Sequence, residues 1–201
     1  MDHYFINNPN LKSEEKEVKL NANGKEYKFI TDNGVFSKSF VDFGTRTLLD
    51  NLPNLSGDVL DFGCGYGVIG IYIKLNYNCN VDMIDVNERA LSLAKKNAKI
   101  NNASVNIFES DRYSNVDKKY DYIVSNPPIR VGKKILYEIL FEAKKHLKKN
   151  GSLWIVINKD QGAKTVARDL EKEYDVKIVD KNKGFYIICA TNYWHLHNKR
   201  L

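Results

Sequence analysis

Residues 59–67 read Val-Leu-Asp-Phe-Gly-Cys-Gly-Tyr-Gly, and this stretch decides the fold. Val59-Leu60-Asp61-Phe62 is a short, mostly apolar run that suits a buried strand, and Gly63, Gly65 and Gly67 follow at alternate positions. Glycines so placed let the chain turn sharply and bring a ligand against bare main chain. From Tyr66 to Leu75 the apolar residues recur at helical spacing. A strand, a glycine turn and a helix open a sheet of the α/β class. Residues 65–70, Gly-Tyr-Gly-Val-Ile-Gly, also fit the dinucleotide pattern Gly-X-Gly-X-X-Gly, a weak signal by itself.

The alternation continues downstream. Residues 81–85 read as a second strand, and Asn87 caps a helix with Ala90, Leu91, Ala94, Ala98 and Ile100 inward. Residues 105–108 and 120–124 read as the third and fourth strands. An amphipathic helix is expected over 135–147, closed by Asn150-Gly151, then a fifth strand over 153–157 and a helix over 163–174. Residues 176–179 and 185–189, joined by an Asn-Lys-Gly turn, read as antiparallel. The pattern predicts an α/β, doubly wound, mostly parallel seven-stranded sheet with an antiparallel last strand and helices on both faces. Upstream, Val18, Leu20 and Ala22 alternate with polar residues before Asn23-Gly24 and a second alternating run. Asn-Gly between such runs signals a hairpin. Residues 1–31 are therefore expected as an N-terminal β-ribbon and 32–201 as the main domain, with a helix over 40–52 stopped by Pro53.

Ligands of such sheets sit beyond the carboxyl ends of the strands, near the point where strand order reverses. Asp85 ends the second strand, 20 residues after Gly65. A carboxylate there can accept hydrogen bonds from both hydroxyls of a ribose, in nicotinamide cofactors and in S-adenosylmethionine alike. Asp61, just before the glycines, would repel a pyrophosphate but suits the cationic amino end of a methionine. Ser110-Asp111, after the third strand, is placed to receive an adenine amino group. Ser125-Asn126-Pro127-Pro128-Ile129 follows the fourth strand. Its prolines fix φ, and the residue before each is pushed to an extended shape. The result is a rigid edge that presents the Asn126 side-chain oxygen and a main-chain carbonyl. Two such acceptors can take both N–H groups of a planar exocyclic amine and aim its lone pair at an electrophilic methyl group.

These residues together resemble the class I S-adenosylmethionine-dependent methyltransferases, and within them the amine methyltransferases with an Asn/Asp-Pro-Pro motif. Gly34-Val35-Phe36-Ser37, Asp42-Phe43-Gly44-Thr45 and the run from Asn126 to Lys133 are similar to the RsmC-type small-domain enzymes, which act on rRNA guanine. The resemblance covers about residues 30–190. It implies S-adenosyl-L-methionine bound by Asp61, Gly63, Gly65, Asp85, Val86, Asp111 and Asn126, with Asn126 also holding the target amine in the Asn126-Pro127-Pro128 turn. Thr45 and Phe36 would contribute at the methionine end or the base pocket, and Ile129, Arg130 and Lys133 would meet the substrate. Many members carry an aromatic residue where this chain has Ile129, which leaves Phe36, Tyr113 or an aliphatic face to pack the base. The best-known relatives join two such domains, the first degenerate, and this sequence holds one.

The chain has 201 residues, 43% hydrophobic and 28% charged, with a net charge of +6. That length buries roughly 70% of the unfolded surface without staples. Cys64, Cys79 and Cys189 form no Cys-X-X-Cys pair, which argues against a disulfide framework and for a reducing cytoplasm. No apolar run approaches the roughly 20 residues that span a bilayer. Nor does the N-terminal decapeptide read as a signal peptide. The tail Tyr193-Trp194-His195-Leu196-His197 lacks a companion carboxylate or cysteine, so no metal is expected. Residues 126–151 carry seven positive and two negative charges, nearly the whole excess. A localised excess suggests a polyanionic partner. Arg130 and Lys133 would hold phosphates, while the lysine pairs 144–145 and 148–149 read as a solvated helix end.

The expected function is methylation of an exocyclic amine, guanine N2 of 16S rRNA, with rRNA or the small ribosomal subunit as partner and a monomer as the state. A protein glutamine or DNA adenine is the alternative acceptor. A nicotinamide oxidoreductase would leave Asp61 and the Asn-Pro-Pro turn unexplained. The intact Asp85 and Asn126 oppose an idle RNA-binding module.

Overall fold

The computed structural model describes residues 12–37, 39, 41–128 and 131–193. Its elements are β1 (Lys16–Ala22), β2 (Lys25–Thr31), α1 (Phe43–Asp50), β3 (Ser56–Phe62), α2 (Val68–Asn76), β4 (Asn78–Asp85), α3 (Glu88–Ile100) and β5 (Asn106–Glu109). There follow β6 (Tyr120–Ser125), α4 (Lys133–Glu142), β7 (Leu147–Asn158), α5 (Ala163–Leu170), β8 (Asp175–Asn182) and β9 (Phe185–Thr191). Strands β3 to β9 form one seven-stranded sheet in the order β5-β4-β3-β6-β7-β9-β8. β5, β4, β3, β6 and β7 are parallel, and β9 runs antiparallel to both β7 and β8. β3 lies between β4 and β6, so strand order reverses there and a crevice opens beyond the carboxyl ends of β3 and β6.

Side chains alternate between the two faces of each strand. Val59, Val124, Val156 and Ile187 pack with α1, α2 and α3 in one apolar layer. Leu60, Ile123, Ile155 and Ile188 pack with α4 and α5 in the other. Near-continuous apolar strands are what a sheet covered on both faces requires. Among the described residues no helix is long and apolar enough to cross a membrane.

β1 and β2 form a separate hairpin. Asn23 and Gly24 both have positive φ, 51° and 70°, the geometry that a two-residue hairpin turn demands. Val18, Leu20, Tyr27 and Phe29 are buried in the layer of α2 and α3. The edge of β2 is met by a helix. Asn97 Oδ1 accepts from Ile30 N–H at 2.6 Å and Asn97 Nδ2 donates to Ile30 O at 2.8 Å. Asn101 repeats the pair with Lys28, at 3.3 and 2.7 Å. Four helical residues rise about 6 Å and two strand residues about 6.6 Å. The two periods match, so α3 presents its amides to β2 as a neighbouring strand would. Asn97 Nδ2 also donates to Tyr66 O at 2.8 Å in the glycine loop.

Three expectations are corrected. α4 ends at Glu142, and a 3-10 turn (Ala143–His146) leads directly into β7 at Leu147. Asn150-Gly151 therefore does not close a helix; it lies inside β7, where the register with β6 shifts between Tyr120 and Tyr122. Asn150 N–H donates to Asn192 O and Gly151 O accepts from Asn192 N–H. A Cβ on Gly151 would meet the Tyr120 and Asp121 carbonyls at 2.9 and 3.0 Å. Ile100 is 42% exposed, and the polar Asn97 is fully buried instead, because β2 needs its amide. Lys148 and Lys149 lie in β7, so of the two pairs only Lys144 and Lys145, on the 3-10 turn after α4, sit at a helix end. Lys144 bonds Glu173 at 2.8 Å, and Lys148 bonds Asp58 and Asp121, each at 2.8 Å. The expected helix over 40–52 is α1, begun by the Asp42 cap; Phe40 lies outside the described residues, as does the tail from Trp194.

Candidate active site

The glycine loop runs from the end of β3 to α2. Gly63 and Gly65 have φ of 68° and 55°, and a Cβ built on either would point into open space. The bare main chain thus borders an open cradle, which side chains at these positions would enter. Asp85, at the end of β4, faces the loop: Oδ2 accepts from Gly65 N–H at 2.8 Å and Oδ1 from Asn87 N–H at 2.9 Å. Burial raises its pKa against these donors, of which Val86 N–H is another. Asp61 is fully buried. Its Oδ2 accepts from Gly70 N–H at 2.8 Å, while Oδ1 has no hydrogen-bond partner. Burial, and then the nearby Asp85 charge, push the Asp61 carboxyl up to about 7. A buried carboxylate with one oxygen orphaned, next to an open cradle, fits a ligand that brings a positive charge.

The second wall of the crevice is the end of β6. Ser125 Oγ donates to Phe62 O at 2.8 Å and ties it to the end of β3. Asn126 follows. Its Nδ2 donates to Thr45 Oγ1 at 3.0 Å and lies 3.3 Å from Asp42 Oδ2. Thr45 Oγ1 donates to Asp42 Oδ2 at 2.5 Å, and Thr45 N–H donates to Asp42 Oδ1 at 3.1 Å. A carboxylate only accepts, and the Thr45 proton is already committed, so Thr45 can only accept from Asn126. The amide nitrogen of Asn126 must therefore face this pair, and the oxygen must face away. Asp42 does two things at once: it caps α1 and it sets the orientation of Asn126.

The structure brings Asp61, Gly63, Gly65, Asp85, Val86, Thr45 and Asn126 to the carboxyl ends of β3, β4 and β6. Segment 32–37 lies alongside: Asn87 Nδ2 donates to Gly34 O at 3.1 Å and Tyr66 Oη to Ser37 O at 3.4 Å. Phe36, on this segment, is half exposed. Asp111 is largely exposed at the end of β5 and pairs with Arg112 at 3.6 Å. Lys133 is exposed at the start of α4, its ammonium 5.3 Å from the Tyr137 ring centre. Ile129 and Arg130 lie outside the described residues. Tyr113 does not serve as a base-stacking surface. It is buried, 4.7 Å from the Phe62 ring and stacked on His146 at 4.5 Å. Cys64 is buried, its thiol pushed up by desolvation, as a packing residue would be. Sequence reasoning missed the roles of Asp42 and Asn97. An Asp-X-X-Thr start to α1 is a capping signal, and asparagine within a helix is disfavoured enough to suggest that it has a partner.

A doubly wound sheet with this cradle at its switch point and an Asn-Pro-Pro turn on the facing strand is the organisation of a class I methyltransferase. Residues 26–189 match the methyltransferase small domain family. The chain belongs to that family, and its cofactor is S-adenosylmethionine. It is 44% identical over 196 residues to the uncharacterized protein YbxB of Bacillus subtilis, covering 94% of this chain and 98% of that one. It is 40% identical to ribosomal RNA small subunit methyltransferase C of Psychromonas ingrahamii, over 72% of this chain and 43% of the relative. The counterpart from Colwellia psychrerythraea is 35% identical, over 90% and 52%. The chain thus spans about half the length of these rRNA methyltransferases. Among solved structures, a T. thermophilus 16S rRNA N2 methyltransferase (RsmC) in complex with AdoMet and guanosine shares the fold, with a TM-score of 0.81 and 23% identity. That match covers 92% of this chain and 52% of the other.

Proposed function

We propose that this methyltransferase modifies the exocyclic N2 amine of a guanine in small-subunit rRNA. The observation that carries the reading is the fixed amide of Asn126, whose oxygen points away from Asp42 and Thr45. The cofactor supplies an electrophilic methyl group on a sulfonium. Asp85 holds the ribose hydroxyls, and Asp61 favours the cationic amino end. Val86 borders the adenosine and Asp111 takes the adenine amine, with Thr45 near the methionine end. On the acceptor side, Asn126 Oδ1 and a main-chain carbonyl of the Asn126-Pro127-Pro128 turn accept the two N–H groups of the amine. Holding both donors draws the nitrogen lone pair out of conjugation and aligns it for attack. As the nitrogen gains positive charge, the Asn126 oxygen becomes a better partner, so its contribution grows along the reaction. Phe36 and Ile129 would pack the base, and Arg130 and Lys133 would meet flanking phosphates. Support comes from the names of the 35–40% identical relatives and from the guanosine in the RsmC structure.

The test is purified protein with S-adenosylmethionine and unmodified 16S rRNA transcript, followed by nucleoside mass spectrometry. One N2-methylguanosine is expected, absent from the rRNA of cells lacking the gene. Methylation of adenine in DNA, or of a glutamine side chain, with none on rRNA would overturn the reading.

A further inference from the structure

The basic stretch 126–151 is split by the fold between opposite ends of the sheet. Asn126 and Lys133 sit at the carboxyl end, whereas Lys144 to Lys149 sit where β7 begins, beside the starts of β3 and β6. At that far end Lys118, Lys144 and Lys148 pair with acids, while Lys145 and Lys149 have no ion pair among the described residues. Lys148 bonds Asp58 and Asp121, Lys118 bonds Asp82 at 3.0 Å, and Lys144 bonds Glu173. The catalytic end carries its own set of lysines. The β8–β9 turn lies there, because β9 runs antiparallel to β7 and begins opposite Asn158. Lys183 Nζ stands 4.8 Å from the Phe43 ring centre, Lys181 Nζ 5.3 Å from Tyr186, and Lys133 Nζ 5.3 Å from Tyr137. Lys159 N–H donates to Gly184 O at 2.7 Å, so Lys159 is fastened to the same turn.

Among the described residues none of these four ammonium groups pairs with a carboxylate. An aromatic face holds an ammonium in place without cancelling its charge. Asp160, beside Lys159, is exposed and offsets part of the field, and Asp180 is engaged by Asn51 at 3.1 Å. The β8–β9 turn is also close to the chemistry. Phe43, beneath Lys183, directly precedes Gly44-Thr45, and Thr45 Oγ1 bonds Asn126.

We propose that Lys133, Lys159, Lys181 and Lys183 form the phosphate track of an RNA substrate, running from the Asn-Pro-Pro turn across the β8–β9 turn. The inference rests on the reading of the site as an RNA methyltransferase and adds where the strand lies. The lysines of 144–149 take no part in it.

The experiment compares binding of unmodified 16S rRNA transcript at several salt concentrations. The proteins are wild type, the double variant Lys159→Gln/Lys183→Gln, and the control Lys145→Gln/Lys149→Gln. Each lost phosphate contact lowers the log–log salt slope by about 0.7 for single strands. The first variant should therefore lose about 1.4 of slope, with an unchanged affinity for S-adenosylmethionine, while the control keeps the wild-type slope. An unchanged slope in the first variant, or an equal fall in the control, would overturn the track while wild-type methylation of the transcript leaves the RNA reading intact. A wild-type protein that neither binds nor methylates the transcript would overturn both.

Discussion

Asn126 holds one orientation because Asp42 and Thr45 leave its nitrogen no better place. Two substitutions separate orientation from presence. Asn126→Ala removes the acceptor and should lower the single-turnover methylation rate roughly a hundredfold to a thousandfold, the usual loss for one preorganised group. Cofactor affinity should change little, since the cradle lies on β3 and β4. Asp42→Asn still caps α1, yet it can donate as well as accept, so the amide of Asn126 loses its fixed direction. Stability should stay near wild type while the rate falls about tenfold, equivalent to about 1.4 kcal/mol; an unchanged rate would discard the orienting role. Asp61 gives a pH signature. Its carboxyl is raised to about 7 in the folded protein, from 3.8. The folded state then binds more protons than the unfolded between these values, so the stability of the ligand-free protein falls as pH rises through that window and levels off above about 7. A cationic ligand reverses the preference, so S-adenosylmethionine should bind more tightly as pH rises toward 7, with release of a proton near pH 6. Calorimetry in buffers of different ionisation enthalpy measures that proton, and Asp61→Asn should abolish it. Asp61, Asp85 and Asn126 were legible in the sequence because each ends a strand that its own neighbours define. Asp42 was not, because its partner lies 84 positions away.

Elements show the same division between local and distant causes. The first hairpin was readable from Asn23-Gly24 alone, since the two-residue turn decides it. The identical dipeptide at 150–151 was misread as a helix stop, because Asn192 and the bulge against β6 decide its conformation. The mostly parallel seven-stranded sheet and a ligand crevice at the carboxyl ends of its strands followed from the alternation of elements, while the early end of α4 did not. Gly70 shows how packing overrides local preference. Helix propensity alone would have Gly70→Ala stabilise α2 by about 1 kcal/mol. A Cβ there would meet Met83 Cγ at 2.6 Å, Met83 Sδ at 2.7 Å and Asp61 Oδ2 at 3.0 Å. Met83 is fully buried, and overpacking of this kind costs about 1–3 kcal/mol. The variant should unfold at lower urea concentration than wild type; a higher midpoint would mean that Met83 yields freely.

Across the whole molecule, the N-terminal ribbon and the catalytic sheet are joined through Asn97, which binds Ile30 on one side and Tyr66 of the glycine loop on the other. Asn97→Ala leaves at least one buried backbone group unpaired at each, at about 1–3 kcal/mol for each orphaned group. It should lower stability by several kcal/mol and raise hydrogen exchange at Ile30, and it should also weaken cofactor binding through the loop. Loss of stability with an unaltered exchange rate at Ile30 would mean that the ribbon is held by its apolar face alone. The pairing of β2 with α3 also sets a schedule for a chain made from its N-terminus. A lone two-stranded hairpin is marginal in water, and the asparagines that complete its edge follow 67 and 73 positions later. At synthesis rates of about 5–20 residues per second they arrive roughly 3–15 s afterwards. The edge of β2 therefore stays unpaired until α3 has been made, while β5 to β9 are still to come.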